Sequence, residues 1–133
     1  RKDNLVAFCS PLHPFAKKRE LTKSDIKSAR WILREAKSGT RQAFDRAMQG
    51  VLPELDIVME LEHNEAIKRA VEANIGVGCL SEIALETHFK RGDLVPLKLK
   101  GRALERYFYF VTHRQRERSA AISRWIDICR ATP

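Results

Sequence analysis

Cysteine, long apolar runs and catalytic signatures are all scarce in this chain of 133 residues. No stretch approaches the ~20 consecutive apolar residues of a membrane-spanning helix, so no partner membrane is expected. The opening residues, RKDNLVAF, hold an apolar run too short for a secretory signal. No initiator methionine stands before them, and the chain is expected to be a processed product or an excised piece. The three cysteines, Cys9, Cys79 and Cys129, are odd in number, far apart and each inside an apolar run. That pattern fits buried thiols in a reducing, cytoplasmic setting, and has neither a disulfide framework nor the spacing of a zinc site.

The catalytic inventory is equally thin. No G-x-S-x-G, phosphate-binding P-loop, H-E-x-x-H or dinucleotide glycine pattern occurs, and the run Gly76-Val77-Gly78 is too short to count. His13, His63, His88 and His113 are scattered without metal spacing. Ser38 with His63 is a poor nucleophile–base pair, because serine at a helix start is far more often a cap. No enzyme, no cofactor and no metal are expected.

What the chain does have is charge and alternation. The net charge of +8 is uneven: residues 98–133 hold nine basic residues against three acids, and residues 1–97 hold sixteen against fourteen. The basic run Arg114 to Arg118 lacks interleaved aromatics. It reads as a solvated connector, not as a nucleic-acid surface.

The organising stretch is Ala29 to Gly50. Trp31-Ile32-Leu33 reads as a short buried strand, Arg34 to Gly39 as a polar turn, and a helix opens at Thr40 with Ala43, Phe44, Ala47 and Met48 on one face. Gly50 is expected as its left-handed stop. Before it, Asn4 to Cys9 is a continuous apolar run, expected as a strand buried on both faces. The prolines at Pro11 and Pro14 argue against a regular element there, and Thr22-x-x-Asp25 resembles a helix cap. Ile57 to Leu61 reads as a strand, Asn64 to Asn74 as a helix, and Ile75 to Leu80 as a strand whose glycines mark a close approach. Ser81 caps a further helix that ends near Arg91-Gly92. Leu94 to Leu99 suits an edge strand, Tyr107 to Val111 another strand, and Ser119 opens a final amphipathic helix.

Alternation of this kind predicts an α/β fold with a mainly parallel sheet flanked by helices. In such sheets ligand sites lie beyond the carboxyl ends of strands, at helix N-termini, where free N–H groups and the helix dipole favour an anion. Three junctions qualify: Ser38-Gly39-Thr40, Glu62-His63-Asn64 and Cys79-Leu80-Ser81. In a parallel sheet all three share one edge. The candidate site is therefore Ser38, Gly39, Thr40, His63, Asn64, Gly78 and Cys79, with Glu62 opposing an anion. The alternative is that Thr40, Asn64 and Ser81 only cap their helices.

The segments W-I-L-R-E-x-x-S-G-T-R (Trp31 to Arg41) and N-E-A-I-K-R-A-V-E-A-N-I-G-V-G (Asn64 to Gly78) resemble the effector-binding domain of LysR-type transcriptional regulators. Ser10 to Ala16, Gly92 to Leu97 and Tyr107 to His113 add to the resemblance, in the family's order. It implies part of a two-lobed fold similar to the type 2 periplasmic binding proteins, with an effector in the cleft between lobes. On that mapping residues 1–99 form the second lobe and residues 100–133 the returning part of the first, and the DNA-binding winged helix-turn-helix is absent. Ser38 matches a position where relatives place a hydroxyl on the effector. Ala36-Lys37 stand where many relatives have Pro-Gly.

The resemblance implies a small-molecule effector, for which the helix N-termini favour an anion, a homodimer or higher oligomer, and contact with DNA only through a separate N-terminal domain. Replacing Ser38 with Ala is expected to weaken the effector response while leaving the folding midpoint nearly unchanged. A lobe of a transporter-associated solute-binding protein is the main competing reading, and a small α/β enzyme the lesser one.

Overall fold

The computed structural model describes residues 2–102 and 104–107. Ten elements follow one another: β1 (Lys2–Cys9), α1 (Lys23–Ser28), β2 (Arg30–Arg34), α2 (Gly39–Ala47), β3 (Asp56–Leu61), α3 (Asn64–Glu72), β4 (Val77–Ser81), α4 (Glu82–Arg91), β5 (Val95–Leu97) and β6 (Glu105–Tyr107). Short 3-10 turns at Pro14–Lys17 and Leu52–Glu54 interrupt the connections. The expected strand from Tyr107 to Val111 lies outside the described residues except for Tyr107, and the helix from Ser119 lies wholly outside them.

One sheet holds every strand among the described residues, in the order β3-β2-β4-β1-β5, with β6 paired to the start of β1. β2 runs parallel to both β3 and β4. β1 runs against β4, β5 and β6. The sheet is thus mixed, where a mainly parallel one was expected. The continuous apolar run of β1 reports burial on both faces, which a central strand has in either direction, so it carries no information about polarity. β4 and β5, joined through α4, flank β1 and point the same way, which makes a split β-α-β unit with the first strand inserted.

Alternate strand residues feed two cores. Leu5, Ala7 and Cys9 of β1, Trp31 and Leu33 of β2, and Cys79 of β4 pack with Ile26, Phe44 and Met48 on one face. Phe8, Ile32 and Leu80 pack with Ile67, Val71 and Leu85 on the other. This period of two sorts residues onto opposite sides of a strand, so α1 and α2 cover one face and α3 and α4 the other. Trp31 is fully buried, its ring centroid 5.0 Å from that of Phe44 in a tilted contact at 60°. Its indole N–H donates to the Ile26 carbonyl at 3.0 Å, so the ring enters the core with no unpaired donor.

Chain punctuation follows local chemistry. Thr22 and Asp25 form a reciprocal capping box at α1, at 3.2 and 2.9 Å. Pro14 opens a 3-10 turn capped by His13 instead of forbidding one, because the first position of a helical turn has no use for the missing N–H. Asn74 adopts φ 62 after α3, and Gly92 ends α4 at φ 81. α2 closes one residue earlier than expected, with its C-cap at Met48, and Gly50 with φ 94 belongs to the turn beyond it.

Candidate functional site

Because β3, β2 and β4 are neighbours and parallel, their carboxyl ends deliver the N-termini of α3, α2 and α4 to one edge of the sheet. The antiparallel β1 begins at this same edge, with Leu5 opposite Ser81. Three helix starts beside one another present backbone N–H groups that no intrahelical carbonyl reaches, each with the positive end of a dipole.

At α2 the cap is Ser38. Its Oγ accepts from the Arg41 N–H at 2.9 Å, and Gly39 and Thr40 are the first two helical residues. The helix therefore opens at Gly39, one position before the expected Thr40, and Ser38, not Thr40, takes the capping role. The extended backbone of Ser38, φ −73 and ψ 147, is what a cap requires. At α3 the cap position is His63, exposed, and Asn64 is the first helical residue. At α4 the cap position is Ser81 and the acid Glu82 follows in the first turn.

Two expected members sit elsewhere. Gly78 lies inside β4, where a Cβ would meet the Phe8 ring at 2.8 Å and Val71 at 3.0 Å. Cys79 is 1% exposed in the core beside α2. The close approach at these glycines is made by the protein itself: a Cβ on Gly76 would lie 2.3 Å from the Arg30 carbonyl oxygen. Cys9 and Cys79 are buried free thiols, and burial pushes the Cys9 thiol up to about 11.

The charged groups of the edge were missed at the level of sequence. Arg34, at the end of β2, points its guanidinium between two helix starts: Nε lies 2.9 Å from Glu35 Oε1, Nη2 3.4 Å from Oε2, and Nη1 donates to Asn64 Oδ1 at 2.9 Å. The hydrogen bond from Arg34 holds the Glu35 carboxyl below its ordinary value, with the Glu35 backbone adding to it. Arg41 is buried along α2 and is satisfied by Asp45 at 3.0 Å, Glu60 at 2.6 Å and the Arg34 carbonyl at 3.1 Å. The spacing of Arg41 and Asp45 is the ordinary i,i+4 pair and was available as a signal. Arg34 bonding across to Asn64 spans thirty residues and had none.

Among the described residues one trio brings possible metal ligands together, with Glu72, His88 and Asp93 atoms within 4.8 Å of one another. The Arg91 guanidinium already lies 3.0 Å from Asp93 and 3.2 Å from His88 Nδ1, so a fixed cation serves these groups.

Comparison with known proteins agrees with this architecture. The family model described as the LysR substrate binding domain matches residues 1–133. The uncharacterized HTH-type transcriptional regulator YeiE of Escherichia coli (strain K12) is 37% identical over 128 residues, covering 96% of this chain and 43% of that protein. The HTH-type transcriptional activator CmpR of Synechocystis is 28% identical over 123 residues, covering 92% of this chain and 40% of that protein. The chain thus spans less than half the length of these curated relatives. Among solved structures, the Synechocystis PCC6803 CcmR regulatory domain in complex with 2-PG superimposes with a TM-score of 0.72 at 26% identity, covering 98% of this chain and 62% of that one. The effector-binding domain of QuiR with shikimate gives 0.70 at 21% identity, covering 95% and 59%, which is a likeness of fold. A mixed sheet with helices on both faces, the segments from Trp31 to Gly78 and a whole-chain family match lead to one conclusion: the chain belongs to the LysR substrate binding domain family.

Proposed function

We propose that this chain is the effector-sensing part of a transcriptional regulator, and that its effector is a small anion bound where α2, α3 and α4 begin. The observation that carries the reading is the parallel trio β3-β2-β4, which brings three helix N-termini to one edge. Each dipole contributes about 0.3–1 kcal/mol toward an anion, and each hydrogen bond to a charged group about 1.5–3 kcal/mol. Shedding the anion's water offsets much of that sum. The similarity to a regulatory domain solved in complex with 2-PG supports a small-molecule ligand.

The pairing of β6 with the first residues of β1 supports the lobe division: two adjacent strands there are what a junction between two lobes would use. On this reading residues 1–99 form one lobe, residues 100–133 return to the other, and the effector lies between them. Regulation then follows from lobe closure around the ligand, relayed through a dimer to a separate DNA-binding domain in the cytoplasm. The regulator relatives favour this reading over a transporter-associated lobe, and over an enzyme.

Gly39→Pro in the complete regulator tests it. Proline suits the first helical position, and the extended Ser38 before it is already compatible. The substitution deletes one anion-facing N–H and leaves the cap. Calorimetric titration with 2-PG or inorganic phosphate should show weaker binding at an unchanged melting temperature. Unchanged binding would remove the helix-start site.

A further inference from the structure

The Arg34–Glu35 pair lies at this edge and the reading above leaves it unused. Glu35 occupies the fork of Arg34 as a ligand carboxylate would, with both of its oxygens facing guanidinium nitrogens at 2.9 and 3.4 Å. The arginine is held from the far side by Asn64 at 2.9 Å, and its side chain is 19% exposed. Its carboxylate partner is 36% exposed, and beyond the Arg34 fork only its own backbone bears on it. One member of the pair is therefore anchored and the other is exchangeable. The buried Arg41, by contrast, already commits its Nε to Asp45 and its Nη1 to Glu60 and a carbonyl.

We propose that Arg34 is the specificity-determining residue of the effector site and that Glu35 is its internal placeholder. A ligand bearing a carboxylate or phosphate takes over the fork, and Glu35 swings into solvent. The inference rests on the reading of this edge as the effector site. It follows that a neutral polyol or amide is rejected, because it cannot replace the charge that Glu35 supplies. It also follows that affinity for a plain anion is lowered, because each binding event must displace a charge already paired.

The test uses the complete regulator, with inorganic phosphate and acetate as probes at fixed ionic strength. Glu35→Gln keeps the shape and removes the competing charge. It should tighten phosphate binding about two- to fivefold, the range set by an exposed ion pair. Arg34→Lys keeps the charge and loses the fork, and should weaken binding roughly tenfold. If Glu35→Gln leaves phosphate binding unchanged or weaker while Gly39→Pro still impairs it, the placeholder is overturned and the helix-start site survives. If the unsubstituted regulator binds neither probe, or if all three substitutions leave binding unchanged, both fall. Thermal melts of each variant check the fold, and Glu35→Gln, at an exposed carboxylate, carries the test alone should Arg34→Lys unfold.

Discussion

The Arg41 guanidinium donates to the main-chain carbonyl of Arg34 across 3.1 Å, which ties the first turn of α2 to the end of the strand that leads into it. The same Nη1 reaches Glu60 on β3 at 2.6 Å. One side chain thus fixes the spacing between a helix start and two parallel strands. Arg41→Lys should cost roughly 1–3 kcal/mol, since an ammonium on a shorter reach cannot serve three separated acceptors. Urea unfolding should show a lower midpoint with an unchanged slope.

The cap that Ser38 forms on α2 predicts a lower folding midpoint on its loss, where the sequence alone suggested almost no change. Ser38→Ala should destabilise by about 0.5–2 kcal/mol and Ser38→Gly by only a few tenths, because glycine lets water reach the Arg41 N–H. Any effector contact made by the hydroxyl is lost in both. Equal losses of ligand affinity with unequal losses of stability would separate the two roles of the residue.

Alanine at the two β4-side glycines should act unequally. At Gly78 the new methyl meets the end of the Phe8 ring and a Val71 methyl, which can shift, at about 1–3 kcal/mol. At Gly76 it meets the Arg30 carbonyl oxygen at 2.3 Å, which cannot move without breaking the β2–β4 pairing. Thermal melts should rank Gly76→Ala well below Gly78→Ala.

His13 Nδ1 accepts from the Phe15 N–H at 3.0 Å, and burial holds its pKa below the ordinary 6.5. The unfolded chain therefore takes up this proton first as the pH falls. The stability tied to His13 is complete above 6.5 and declines below it, through the lowered folded value. His13→Asn keeps a capping acceptor that does not titrate, so its melting temperature should lose the His13-linked step between neutral and mildly acid pH.

How much of this was legible in the sequence depended on range. Apolar alternation and capping residues placed β1 to β5 and α1 to α4, because those signals are local: Thr22 with Asp25, Asn74 and Gly92 behave as their chemistry dictates. The direction of β1 was not legible, because its neighbours in the sheet lie some seventy or more residues away, Leu5 beside Ser81 and Ala7 beside Leu97. The site was read in part. Hydroxyls and glycines at Ser38-Gly39-Thr40 announced a helix start, whereas Gly78 and Cys79 answered to Phe8, Val71 and the core, which only the folded chain brings near.

The inserted position of β1 also bears on how the chain is made. Neither of the next two strands in the sequence hydrogen-bonds to it; its partners begin at Val77 and end at Tyr107. Within this stretch, β1 can meet its described neighbours only once β4 has been released, so this part of the sheet does not close in sequence order. β2, α2 and β3 can assemble while β1 waits, an apolar ribbon without its β4 and β5 neighbours. The interval in which that ribbon is exposed, and a chaperone's access to it, is set by the time needed to synthesise and close β4.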